Sequence, residues 1–400
     1  MTERLYYTDP YLTEFDANVL RVEPYEGRLA AVLDRTAFYP TSGGQPFDTG
    51  RLGTAAVIEV VERDDDVILH VVDGPFQPGP VRGIIDWDRR FEHMQQHTGQ
   101  HVLSAAFDRL FSARTESFHL GSASSTIDLN RPLSPGEIER AEDDSNRVVW
   151  EDRPVGIRFA DAEEAARLPL RKEPARTGKL RLIEVADFDI SACGGTHVAR
   201  TGAIGAIAVQ SSERFRGGTR VEFLCGVRAL KGYRVLRDAM AASVRLVSVL
   251  PAELPAGIER LQADGTETKR QLKDLQTRLA MFEGAALADR AERLGSVQVV
   301  IEALEGWDQN GLKAIASAIA ARSGHAAVLF SVPQPSAVVI ARAADGMIDS
   351  AAVLKKLIER FGGKGGGRPD LAQGGGLQGS AGDIITCVRE VLDSGPSDPT

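Results

Sequence analysis

The sequence predicts an α+β multidomain chain: a small N-terminal β-barrel, a mixed α/β domain, a helical hairpin and a C-terminal α/β domain. Three observations predict it. Residues 1–90 hold only short β-prone runs, punctuated by Gly and Pro. Residues 227–294 place apolar residues at helical spacing on two successive stretches, parted by PAELPAG at 251–257. Residues 295–393 alternate strand-like with helix-like runs. The expected boundaries are 1–90, 91–226, 227–294 and 295–400.

In the first segment, strands are expected at 20–22, 28–33, 51–61, 67–72 and 81–85. Between them lies DRTAFYPTSGGQPFDTG at 34–50, where Pro40, Gly43, Gly44 and Pro46 forbid regular structure and Phe38, Tyr39 and Phe47 supply anchors. Such a loop can bring backbone amides close to a ligand, and Gly43 and Gly44 are where that approach is freest.

The second segment opens with FEHMQQHTGQHVLSAAF at 91–107, a helix expected to run to Phe111 with Asp88 as N-cap. His97 and His101 are four apart, on one helical face. His93 extends the row, so spacing alone leaves the pair open between 93/97 and 97/101. Far downstream, CGGTH sets Cys193 and His197 four apart across two glycines, which argues for a tight turn. These four hold a large share of the ten Cys and His residues in the chain, and two His with Cys and His suit a tetrahedral Zn²⁺. His119 is a further candidate, as a fifth ligand or an acid/base group. Residues 117–129 read as a turn feeding a strand, and 134–152 as an amphipathic helix opened by a Ser134/Glu137 capping box. Strands are expected at 180–185, 202–210 and 220–225.

In the third segment Leu230, Tyr233, Leu236, Met240, Val244 and Val247 form one stripe. Leu272, Leu275, Leu279 and Phe282 form a coiled-coil seam, and an antiparallel hairpin is the natural outcome. The seam, or the C-terminal domain, offers a contact for a homodimer. The fourth segment reads strand 297–301, helix 308–323, strands 326–332 and 337–342, helix 350–361 and a last helix 382–393. Between the last two helices GGKGGGRPDLAQGGG (362–376) reads as a loop, and Lys364 and Arg368 suit phosphate contact there. It is not a nucleotide-binding P-loop, because no Lys-Ser/Thr pair follows the glycines. No order is expected for the tail SGPSDPT.

The net charge of −9 is unevenly spread. Residues 1–226 carry −10 (26 basic, 36 acidic), whereas residues 227–294 carry +3 (12 basic, nine acidic). Acidity therefore does not exclude a polyanion held by local patches, though it disfavours indiscriminate binding. No stretch approaches the ~18 apolar residues of a membrane span. The N-terminal residues lack the apolar core of a signal peptide, and three Cys argue against a disulfide framework, so a cytoplasmic location is expected.

RTAFYPTSGGQPFDTG, HTGQH, CGGTH and GGKGGGRPDLAQGGG, in this order, resemble the editing half of alanyl-tRNA synthetase. More closely, the chain resembles the long free-standing alanyl-tRNA editing proteins (the AlaX family) over nearly its whole length. The resemblance implies metal ligation by His97 and His101 with Cys193 and His197, leaving His93 a bystander. It implies a zinc-containing editing domain at 91–226, and a hairpin with a DHHA1 domain that holds tRNA. The implied reaction is hydrolysis of the ester joining serine or glycine to tRNA(Ala), without an ATP-dependent activating domain. Thr36 and Gln45, in the glycine-rich loop, are the implied readers of the serine hydroxyl. One departure stands out: many members carry Ala where this chain has Gly99, and a helix-interior Gly costs ~1 kcal/mol and is expected to loosen the ligand pair.

Overall fold

The computed structural model describes residues 2–171, 180–332 and 334–393; the SGPSDPT tail lies outside them. It divides into two units, residues 1–243 and 244–400. The first begins with β1 (Glu3–Arg4), β2 (Glu14–Tyr25), β3 (Arg28–Leu33), β4 (Arg35–Thr36), β5 (Gly50–Leu52), β6 (Ala55–Glu62), β7 (Ile68–Asp73) and β8 (Gly79–Ile85). Strands β2, β3, β7, β6, β5 and β8, in that spatial order, close a barrel. Two strands differ from expectation. The first is much longer than 20–22, because Phe15, Ala17 and Val19 turn inward alternately even though Asp16 and Asn18 are poor strand formers. The run 51–61 is a hairpin, broken where Gly53 takes φ +57°.

Helix α1 (Trp87–Phe111) then crosses the unit. Its N-cap is Asp86 rather than Asp88: the Asp86 carboxylate accepts from Arg89 N, and Trp87 packs on Tyr11 and Phe91. After α1 come β9 (Thr115–Leu120), β10 (Ser125–Leu129), α2 (Pro135–Trp150), β11 (Val155–Ala160), α3 (Ala162–Ala166), β12 (Leu180–Val185), β13 (Asp189–Ala192), β14 (Ile207–Phe215) and β15 (Gly218–Cys225). The expected Ser134/Glu137 capping box opens α2. The strand expected from 202 starts at Ile207, because Thr201–Ile204 is a 3-10 turn ended by Gly205 at φ +73°. Sheets β14-β15-β10-β9 and β11-β12-β13 surround α1.

Residues 93–107 of α1 are all buried although many are polar. Most of the polar side chains meet a specific partner, as burial requires. Gln96 pairs with both backbone groups of Cys225, at 2.8 Å each, and Gln95 bonds Ala203 O and Val227 N.

Helix α4 (Gly226–Val247) leaves this unit, tied to α1 by Arg228, which bonds Glu92 and Gly121 O. The second unit holds α5 (Leu254–Ala288), β16 (Glu292–Leu294), β17 (Val297–Glu305), α6 (Gln309–Ala320), β18 (His325–Val332), β19 (Ser336–Arg342), α7 (Ser350–Phe361), β20 (Lys364–Arg368), β21 (Leu371–Leu377) and α8 (Ala381–Asp393). Its six strands run β16-β17-β18-β19-β21-β20, with α5 and α6 on one face and α7 and α8 on the other. The two helices expected in 227–294 are present, but Leu230, Tyr233, Leu236 and Met240 are exposed, as are Leu272, Leu275, Leu279 and Phe282. The glycine-rich stretch expected as a loop is a β-hairpin on the sheet edge. Glycine is required there, because a Cβ on Gly367 would lie 2.4 Å from Ala372 Cα and one on Gly365 2.5 Å from Gly374 Cα. Among the described residues no single helix is long and apolar enough to cross a membrane.

Gly99 stands where α1 meets the end of β15. A Cβ there would lie 2.3 Å from Cys225 Sγ and 3.4 Å from Ile204 Cγ2, so the strand end occupies the space an Ala would need. The ~1 kcal/mol of helix propensity that Ala offers is smaller than the ~1–3 kcal/mol cost of overpacking. Gly99→Ala should therefore lower stability by ~1–2 kcal/mol, whereas in a Cys225→Ala background the same change should be neutral or stabilising. Denaturant unfolding of the four chains measures this, and strict additivity would sink the explanation.

Candidate metal centre

His97 and His101 project from α1, and Cys193 and His197 from the turn after β13. Their ligand atoms all lie within 4.8 Å of one another. Cys193 Sγ is 3.4 Å from His97 Nε2 and 3.3 Å from His197 Nε2. A tetrahedral ion with bonds of ~2.0–2.3 Å needs ligands ~3.3–3.8 Å apart, so the group fits one metal ion. His93 and the exposed His119 lie outside it; His93 Nδ1 is buried without a partner.

The outward nitrogens make the fit stronger. His97 Nδ1 donates to Gln45 Oε1 at 2.8 Å, His197 Nδ1 to Thr98 Oγ1 at 3.2 Å, and His101 Nδ1 to Asp189 Oδ2 at 3.3 Å. Each Nδ1–H thus has an oxygen, which leaves each Nε2 lone pair for the ion. The turn is shaped around these rings. A Cβ on Gly195 would fall 2.2 Å from His97 Cε1, and Arg181 donates to the carbonyls of Cys193 and Gly195 at 2.7 and 2.9 Å. Gly195 therefore provides close approach rather than a positive φ, whereas a Cβ on Gly194 would meet only Tyr7, at an ordinary 3.5 Å.

Burial would raise the Cys193 thiol, but His97, His197 and hydrogen bonds from His101 and His197 hold it well below its ordinary value. Burial opposes protonation of His101, yet Asp189 and Cys193 raise it to about 9. Burial lowers His197 to about 3. Without metal, the centre keeps a thiolate beside an imidazolium and a neutral imidazole, a donor set ready for a soft or borderline cation.

A cleft of about 180 Å³ opens on His97, His101 and Cys193, and is also lined by Gly43, Gln100, Glu116, Phe118, Arg171 and Ser191. Of the loop residues, Gly43 reaches it, while Gly44 lies against β9 with its carbonyl accepting from Leu120 N. Gln45 is fully buried and committed to His97, Thr196 N and Thr196 Oγ1. Thr36 is fully buried in the barrel, where its hydroxyl bonds His70 Nε2 at 2.8 Å and accepts from Phe38 N. Lys364 and Arg368 are exposed on β20 in the other unit, Arg368 paired with Asp370. Asp189 and Arg181 lie outside the quoted motifs, so nothing in their spacing marked them; Thr98 lies inside HTGQH but was not singled out.

The chain matches two domain families: the threonyl and alanyl tRNA synthetase second additional domain over residues 180–222, and the DHHA1 domain over 296–393. It is 32% identical to the alanyl-tRNA editing protein AlaX-L of Pyrococcus horikoshii, over 94% of this chain and 94% of that one. It is 33% identical to the alanine–tRNA ligase of Pyrococcus abyssi and 35% identical to that of Pyrococcus furiosus, over 93% of this chain in each case. It spans 42% of each ligase.

Gln45→Leu removes the partner of His97 without touching a ligand. Metal affinity should fall ~10–100-fold in competition with a chelator. Unchanged retention would mean that Gln45 only braces the loop.

His70 gives a pH test of the barrel. Its Nδ1 faces the Ala31 carbonyl at 3.1 Å and must carry the proton, so Nε2 accepts from Thr36; burial lowers it to about 4. Above pH ~6.5 both folded and unfolded forms are neutral. As pH falls from ~6.5 to about 4 only the unfolded chain gains this proton, which costs up to ~3 kcal/mol of stability. His93 and His197, both lowered to about 3, act in the same direction, so the comparison must be with His70→Gln. The stability gap between that variant and the parent should shift in the variant's favour on acidification; a pH-independent gap would refute the assignment.

Proposed function

Because the chain belongs to the family of the long alanyl-tRNA editing proteins, we propose that it hydrolyses the ester joining serine or glycine to tRNA(Ala). The observation that carries this reading is the four-ligand group at the wall of a cleft of about 180 Å³, a size suited to an aminoacyl end rather than a folded macromolecule. The fitting ion is zinc, held by His97, His101, Cys193 and His197. When bound, zinc supplies positive charge that polarises a carbonyl or orients the pocket.

The chain's own residues do the positioning. Gln45, Thr98 and Asp189 fix the three imidazoles, and Arg181 fixes the turn that carries Cys193. We assign no side chain as general base; the terminal ribose hydroxyl of the substrate lies next to the ester and is the nearest group to assist water. Serine exceeds alanine by one hydroxyl, which an apolar pocket rejects poorly, so discrimination calls for a polar contact. Thr36 and Gln45 already bond inside the protein, so their part in that discrimination is indirect, through the loop that places Gly43. Lys364 and Arg368, at the ends of a strand of bare glycines, are proposed to meet tRNA phosphates.

Release of serine and glycine from the corresponding tRNA(Ala) esters tests this. Hydrolysis should be seen with both, should fall on chelation, and should return with Zn²⁺. Thr36→Val should slow both substrates alike, and Lys364→Ala with Arg368→Ala should weaken tRNA binding and flatten its salt dependence. A metal-loaded chain that binds tRNA but releases no amino acid would leave a binding protein with a structural ion.

A further inference from the structure

Two residues on the cleft wall take no part in holding the metal group. Gln100 lies between His97 and His101 in sequence and faces the cleft. Its amide nitrogen donates to Ser104 Oγ at 2.8 Å, and Thr115 Oγ1 donates to the same oxygen at 2.7 Å. The amide is thereby held, while its carbonyl oxygen has no partner among the described residues. Glu116 comes from β9. There Leu129 pairs with Thr115 and Asp128 with Ser117, so Glu116 is the extra residue of a β-bulge. Bulges re-aim side chains. Thr115 turns to Ser104 on α1 and Phe118 lies 5.3 Å from the His97 ring, and Glu116 lines the cleft between them. Its carboxylate is exposed and forms no ion pair among the described residues. The positive group across the cleft, Arg171, is already bonded to Asp189 at 2.8 Å.

We infer that Gln100 and Glu116 form a subsite for the free α-ammonium group of the aminoacyl ester, an inference that rests on the deacylase reading. A carbonyl and a carboxylate offer acceptors and no donor, so their complement is a cation with several N–H groups. The α-ammonium is such a group, one carbon from the ester carbonyl. Serine, glycine and alanine share it, so the subsite does not tell them apart. It selects free aminoacyl esters over N-acylated ones, such as a peptidyl ester, which have lost the charge.

The test compares seryl-tRNA(Ala) with N-acetylseryl-tRNA(Ala) as substrates of the full, zinc-loaded chain. The parent should prefer the free amine by tenfold or more in kcat/KM. Gln100→Leu and Glu116→Gln should each erode that preference mainly through KM, and together should bring the ratio close to one, with zinc content unchanged. Gln100→Glu retains an acceptor and should retain the preference. A preference that survives in the double variant would overturn the subsite. So would equal slowing of both substrates, which would place Glu116 on the attacking water. If the parent cleaves neither ester, the deacylase reading falls first and the subsite falls with it.

Discussion

The arrangement depends on one buried ion pair. Arg90, in the first turn of α1, bonds Asp48 at 2.5–3.1 Å, and both side chains are fully buried. The same guanidinium donates to Ala37 O and Pro10 O, while Asp48 accepts from Tyr39 N at 2.6 Å. The glycine-rich loop has almost no regular structure of its own, so this pair sets its place on the helix. From there Gln45 reaches His97 and Gly43 reaches the cleft. Removing one partner would strand the other charge in the interior, at a cost of ~3–5 kcal/mol. Breaking the pair would therefore loosen the hold of the barrel on the helix that carries His97 and His101.

What was legible in the sequence was the chemistry of the ligands. HTGQH and CGGTH name four donors, in two pairs each four residues apart. Their supports were not legible, because Gln45 is 52 residues from His97 and Asp189 is 88 from His101. Only the tertiary fold joins them. Gln45 and Thr36 were picked out as polar residues of a glycine-rich loop, but their partners were not legible: Gln45 bonds His97 and Thr196, and Thr36 bonds His70 and Phe38 N. Helix α1 was found from its spacing and the absence of breakers. Its burial on every side was hidden, since beside Met94, Val102, Leu103 and Phe107 its buried residues include Gln, Thr, Ser and His, which read as solvent-facing.

Glycine misled in the second unit. GGKGGGRPDLAQGGG has the composition of a loop, and glycine is among the poorest strand formers. Here it forms two paired strands, in which the backbone of β21 leaves no room for a Cβ at Gly365 or Gly367, and Lys364 O with the side chain of Leu354 would crowd one at Gly374. At Gly99 the same close approach operates inside a helix. In both places a steric demand from a distant segment outweighs local preference.

The ligand set has a consequence for chain topology. His97 and Cys193 stand 96 residues apart. An ion gripped by all four side chains would close a loop of that length without a covalent bond. By the loop-entropy relation used for disulfides, closing such a loop removes ~4–5 kcal/mol of disorder from the unfolded chain. The ion would then be a staple as well as a reagent, and loss of metal would loosen the unit that presents the cleft as well as empty its centre.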